Sequence, residues 1–234
     1  MHIGILMAGH APEPVRSTRG DFDAMFRDLL GEGFAFTVWD VEAMAFPASI
    51  DAADGWLISG SKHGAYEDHA FIPPLEDFVR AADAAGRPLV GICFGHQIVA
   101  QALGGRVEKF DGGWAIGRRD YATPDGTPLA LNAWHQDQVV EAPPTARMVL
   151  SNEFCRHAAL AYPHALTIQP HPEFSGTIVA DYVAARRGTG TYPDPLMDEA
   201  AANAARPTDR RAVGAALARF LRTGAVALGA AHAA

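Results

Sequence analysis

The chain has 234 residues, with 19 Lys and Arg against 27 Asp and Glu for a formal charge of −8. No cationic run exceeds the pairs Arg118-Arg119, Arg186-Arg187 and Arg210-Arg211, which argues against a nucleic acid or an anionic membrane as partner. The 49% hydrophobic and 20% charged shares are those of a folded core, and apolar runs such as Pro88–Cys93 are far shorter than the roughly 20 residues of a membrane span.

Ile3, Ile5 and Leu6 open a short apolar strand with no basic leader before it, so a cytoplasmic location is expected. Phe22, Met25, Phe26, Leu29 and Leu30 then fall on one face of a helix, with Asp21 as N-cap and Gly31 or Gly33 as stop. Phe34, Phe36 and Val38 alternate as a strand, and Gly55–Ser59 reads as a buried one. A helix from about Pro73 carries Leu75, Phe78, Val79 and Ala82 and ends at Gly86. Pro88–Cys93 is an apolar strand leading into the helical run Gln97–Leu103.

This alternation predicts an α/β fold with a mostly parallel central sheet flanked by helices. From Arg106 to Gln169, short runs broken by Gly, Pro and Asn read as antiparallel strands appended to one side of the sheet. Ile178, Val179, Tyr182 and Val183 mark a helix after Phe174, Gly188–Pro195 a surface loop, and Val213, Leu217, Phe220 and Leu221 an amphipathic helix after Thr208 or Asp209. With no internal repeat and no long linker, residues 1–234 are expected to form one domain. Its core is about 1–183 and its helical C-terminal extension about 184–234.

Gly91-Ile92-Cys93-Phe94-Gly95-His96-Gln97 is the most informative stretch. A nucleophile in a tight strand-to-helix turn needs small residues two positions away on either side, because a Cβ there collides with backbone. Gly91 and Gly95 meet that need. Cys93 then lies at a helix N-terminus, where the dipole and free N–H groups stabilise negative charge, and the Phe94 N–H faces the oxyanion formed on attack at a carbonyl. Gln169-Pro170-His171-Pro172-Glu173 supplies a base in His171 and a carboxylate in Glu173 to fix its tautomer. Taken alone, Cys93 could be an inert core thiol and the His-Pro-Glu stretch a surface loop; together they are far more specific.

The two motifs in this order resemble the class-I glutamine amidotransferase family over roughly residues 1–183. The resemblance implies a flavodoxin-like sheet, with Cys93 as nucleophile, His171 as base and then acid, and Glu173 as its orienter. It implies Phe94 and Gly60 as oxyanion donors, and Gln97 as a contact to the glutamine side of the substrate. His135, Gln136 and Asp137, in Trp134-His135-Gln136-Asp137, fall where the family holds the substrate's α-amino and α-carboxylate ends. The implied reaction runs through a γ-glutamyl thioester and needs neither cofactor nor metal; a zinc site from Cys93, His96 and His135 is a weak alternative.

Nothing after Glu173 resembles a synthetase: there is no Ser-Gly-Gly nucleotide loop. The turn Ser59-Gly60-Ser61-Lys62-His63-Gly64-Ala65-Tyr66-Glu67-Asp68, in place of the Gly-Gly-Pro type of ammonia producers, resembles the γ-glutamyl peptidase branch. A hydrolase acting alone on a small γ-glutamyl substrate is therefore preferred over a glutaminase subunit delivering ammonia to a separate synthetase, as in GMP synthase, and over a non-catalytic binding module. An α/β-hydrolase would place its acid before its histidine. An intracellular-protease-like relative would carry His where Phe94 stands.

Cys155 lacks flanking glycines and reads as structural, and the four tryptophans as core or cleft packing. Asp111–Trp114 is expected near the mouth of the site, by analogy. The Ala-rich tail is compatible with packing on its own sheet or with a homodimer.

Overall fold

The computed structural model describes residues 1–228. Its centre is a seven-stranded sheet in the order β2-β1-β3-β4-β11-β10-β9. Strands β1 (His2–Met7), β2 (Ala35–Asp40), β3 (Gly55–Ile58), β4 (Leu89–Ile92) and β11 (Ala165–Ile168) are mutually parallel. Counted among themselves these five run 2-1-3-4-5, the flavodoxin-like order. β10 (Ala159–Ala161) and β9 (Arg147–Leu150) add antiparallel strands at one edge.

The inner strands β1, β3, β4 and β11 are buried on both faces because helices cover both, whereas the edge strand β2 is half-exposed. Alternate side chains go to opposite sides. Ile3, Ile5, Leu57, Val90, Ile92, Leu166 and Ile168 meet α2 (Phe22–Leu30), α5 (Gly176–Arg186) and α7 (Arg210–Thr223). Leu6, Trp56, Ile58 and Leu89 meet α3 (Ile72–Ala84) and α4 (Phe94–Ala102) on the other side. The expected cap is present: the Asp21 carboxylate accepts the N–H groups of Phe22 and Ala11 at 2.8 and 2.9 Å, and Gly31 closes α2.

Three expectations need correction. The segment 106–169 is not wholly an appendage, since β9 to β11 join the central sheet and β11 lies parallel to β4. Among the described residues, β5 (Arg106–Lys109) with β8 (Asp137–Glu141), and β6 (Ala115–Ala122) with β7 (Pro128–His135), form two separate antiparallel pairs. The connection from β4 back to a parallel neighbour is thus an excursion containing α4 and six strands, which strand patterning does not encode. A short helix α1 (Glu13–Arg19) was not expected, because it buries only Val15 and follows a proline N-cap. The loop read as Gly188–Pro195 ends earlier, with α6 (Asp194–Asn203) taking Pro195 into its first turn. The helix after β4 begins at Phe94 with Cys93 as its N-cap, where the elbow reading puts it.

The C-terminal helices are part of the core. Met197 and Ala200 of α6 and Val213, Leu217, Phe220 and Leu221 of α7 are buried with the sheet and α2. Among the described residues, no helix is long and apolar enough to cross a membrane. The last six residues of the Ala-rich tail, 229–234, lie outside the described residues.

Candidate active site

Three strand ends converge. β3 runs into Ser59-Gly60, β4 into Cys93, and β11 into Gln169–Glu173, so the site lies beyond the carboxyl ends of parallel strands, where open α/β sheets place their ligands.

Cys93 has φ 54° and ψ −105°, and only Met44 shares a positive φ among the described non-glycine residues. A non-glycine residue held there is strained and must be fixed by its surroundings. Its N–H donates to the Ile168 carbonyl at 2.9 Å and its carbonyl accepts the Gln97 N–H at 3.0 Å. A Cβ on Gly91 would lie 2.4 Å from the Gly95 carbonyl oxygen, and one on Gly95 would lie 2.3 Å from that of Ile58. Both glycines are therefore required by backbone contacts, and the Gly95 N–H bonds Ser59 O at 3.1 Å.

His171 is 4% exposed and Glu173 wholly buried, and His171 Nδ1 is 2.6 Å from Glu173 Oε1. The ring lies parallel to Phe174 at 4.2 Å, and its N–H backbone group bonds Asn132 O at 2.8 Å. A Cβ added to Gly60 would be 3.1 Å from His171 Cε1 and 3.8 Å from Cys93 Cβ, so the three positions meet within one contact distance. Burial alone would lower the imidazole pKa, but the charges of Glu173 and then Cys93 outweigh it and raise it to about 10. The Gly60 carbonyl is held by the Ser59 hydroxyl at 2.9 Å, which itself accepts the Ala8 N–H at 2.9 Å.

Cys93 opens into a cleft of about 430 Å³, which Gln97, His135, Gln136 and Asp137 also line. Gln97 Nε2 donates to the Asp137 carbonyl at 2.9 Å and to Gln169 Oε1 at 3.1 Å. Both ring nitrogens of His135 are buried without a hydrogen-bond partner among the described residues, and burial followed by the nearby His171 lowers its pKa to about 3. It is therefore a neutral imidazole. Burial also raises the Asp137 carboxyl above its usual range, against the opposing hydrogen bond from Tyr66. Gly60, Phe94 and Glu173 are not on the cleft surface, and His171 lines the smaller hollow beside it.

Sequence reasoning missed the far wall. Arg186 and Tyr192 face the cleft, and Tyr192 packs edge-on to Trp114 at 4.7 Å and to Trp134 at 5.4 Å. An aromatic in an otherwise Gly- and Thr-rich loop was the available signal. Of Asp111–Trp114, Trp114 reaches the cleft. Cys93, His96 and His135 do not form a metal-ligand group: His96 Nδ1 is 2.7 Å from Thr167 Oγ1. The group of three such side chains found among the described residues is His63, Glu67 and His69. Cys155 is buried and its thiol is pushed up to about 12 by burial, consistent with a structural role.

The sequence profile of the family described as glutamine amidotransferase class-I matches residues 23–185. The chain is 31% identical to gamma-glutamyl peptidase 3 of Arabidopsis thaliana over 73% of its own length and 76% of the relative's. It is 34% identical to the glutamine-hydrolyzing GMP synthase of Ralstonia pickettii, over 60% of its own length and 29% of that enzyme's. Its fold is that of a glutamine amido transferase from Methylobacillus flagellatus, with a TM-score of 0.76 at 23% identity, covering 100% of this chain and 98% of that one. The chain belongs to the class-I glutamine amidotransferase family.

Proposed function

We propose that the chain is a cysteine hydrolase that cleaves γ-glutamyl amide bonds without a synthetase partner. The observation that carries this reading is the meeting, at one end of the cleft, of the strained Cys93 turn with the buried His171–Glu173 pair across Gly60. Cys93 Sγ attacks the γ-carbonyl carbon, forming a C–S bond and an oxyanion that the N–H groups of Phe94 and Gly60 receive. His171, which Glu173 keeps protonated and oriented, gives its proton to the amide nitrogen as the C–N bond breaks. The amine departs and leaves a γ-glutamyl thioester. Water, deprotonated by His171, attacks the thioester, the C–S bond breaks, and glutamate leaves with the Cys93 thiolate restored.

In this reading Gln97, His135, Gln136 and Asp137 hold the glutamate end. The neutral, unpartnered His135 ring offers one donor and one acceptor there. The similarity to the Arabidopsis peptidase supports action on a γ-glutamyl compound, whereas that to the Ralstonia synthase supports a glutaminase for a separate synthetase. Glutamate release by the purified chain decides between them. Turnover of a γ-glutamyl dipeptide by the chain alone is the expected result. Turnover of glutamine only after a synthetase is added would replace this reading by the glutaminase one, and no labelling of Cys93 by a glutamine-analogue electrophile would favour a binding module.

A further inference from the structure

The loop after β3 carries a second cluster of chemistry-bearing side chains, separate from Cys93, His171 and Glu173. His63, Glu67 and His69 each offer one ligand atom, all within 4.8 Å of one another. Glu67 Oε2 lies 3.8 Å from His63 Nδ1 and 2.8 Å from His69 Nε2. Tetrahedral bonds of about 2.0–2.2 Å put neighbouring ligand atoms roughly 3.3–3.6 Å apart, between these two separations. Small side-chain shifts would therefore close the site around an ion.

Two further observations show preorganisation. The other nitrogen of His63, Nε2, is 2.9 Å from Glu42 Oε1, and the same oxygen takes the Lys62 ammonium at 3.0 Å. An imidazole whose second nitrogen is held by a carboxylate has its tautomer fixed with the first nitrogen free, the usual support of a metal-binding histidine. Both rings also rest on the buried Phe71, with centroids 5.7 and 5.9 Å away, so neither swings freely.

We propose that His63, Glu67 and His69 bind one divalent transition-metal ion of the zinc or cobalt type. Two imidazoles and one carboxylate suit such ions over magnesium or calcium, which take oxygen ligands. Three protein ligands leave a fourth position open. His63 and Glu67 line the same cleft as Cys93, so the ion would form part of the cleft wall.

Because a free thiol such as that of Cys93 can itself take up Zn2+ or Co2+, the test uses the Cys93→Ala protein, titrated with Co2+ and followed by visible absorption, and with Zn2+ by calorimetry. One ion per chain is expected. The added pair His63→Ala and His69→Ala should abolish it, and Glu42→Gln should weaken it by about 10- to 100-fold, with unchanged circular dichroism showing that each variant is folded. No binding to the Cys93→Ala protein, or binding that survives loss of both histidines, would overturn the proposal. A preference for Ca2+ or Mg2+ over Zn2+ would do the same.

Discussion

Glu173 is wholly buried, with Oε1 on His171 and Oε2 meeting no donor among the described residues, so its negative charge is directed mainly at one imidazole. That charge, with Cys93, raises the His171 pKa from 6.5 to about 10 against the opposing effect of burial. Between these two values the native protein keeps a proton that the unfolded chain has released. The stability from this proton is fully present below about pH 6.5 and is lost as the pH rises through about 10, at no more than about 1.4 kcal/mol per pH unit. Glu173→Gln removes the main charge that raises the pKa, so thermal midpoints measured from pH 6 to 10 should fall less steeply than in the parent. An equal slope in both would show that His171 takes its proton affinity from elsewhere. The same substitution should lower kcat about 10³- to 10⁴-fold, as loss of a buried orienting carboxylate does in triads. Cys93→Ser keeps the size and position of the side chain but replaces the thiolate by a poor nucleophile. It should lose at least about 10³-fold in kcat while still binding the γ-glutamyl substrate, and a loss confined to KM would remove Cys93 from the chemistry.

The turn that presents Cys93 works only because β3, β4 and α4 approach at backbone distance. Gly95→Ala would put a carbon 2.3 Å from the Ile58 carbonyl oxygen and 2.9 Å from its carbon, and a strand in mid-sheet cannot retreat. Overpacking of this kind costs about 1–3 kcal/mol or more, which for a chain of this size is a fall of roughly 2–12 °C in thermal midpoint, measurable by calorimetry. An unchanged midpoint would mean that β3 and α4 can separate at no cost. This element was legible beforehand because its requirement is local: two glycines flanking a cysteine between an apolar run and a helix admit few other readings. The His-Pro-Glu turn, which alone reads as a surface loop, became legible only beside that elbow. The assignment of β11 to the centre of the sheet was not, since Ala-Leu-Thr-Ile carries no mark of parallel or antiparallel pairing, and its partner β4 lies far back in the chain. Arg186 and Tyr192 escaped notice because their place in the cleft depends on α5 and α6 folding back together, a tertiary fact that a Gly-rich loop does not display.

On the scale of the whole molecule, the family profile ends at residue 185 but the physical unit does not. α7 packs on α2 so closely that a Cβ on Gly214 would lie 2.5 Å from the Leu29 carbonyl oxygen. Its first residue also reaches the site. The Arg210 guanidinium donates to the carbonyls of Pro172 and Glu173 at 3.3 and 3.4 Å while pairing with Asp28 at 2.9 Å. Asp209, just before it, accepts the Ala130 N–H at 2.7 Å from β7, the strand whose Asn132 holds the His171 backbone. The tail thus clamps the turn that carries His171 and Glu173 from two sides. Met197, Val213, Leu217, Phe220 and Leu221 are each at most 1% exposed. At about 1.5–3 kcal/mol for each such side chain, their burial contributes roughly 7–15 kcal/mol, comparable with the whole net stability of a domain, about 5–15 kcal/mol. A chain ending at Pro193 should therefore show no cooperative thermal transition and no near-ultraviolet circular dichroism, although it retains all of the family profile. If that shortened chain melted cooperatively within a few degrees of the parent, the C-terminal helices would be an accessory layer. The loss of activity expected from the missing Arg210 would then have to be measured on a folded protein, as a fall in kcat at constant KM.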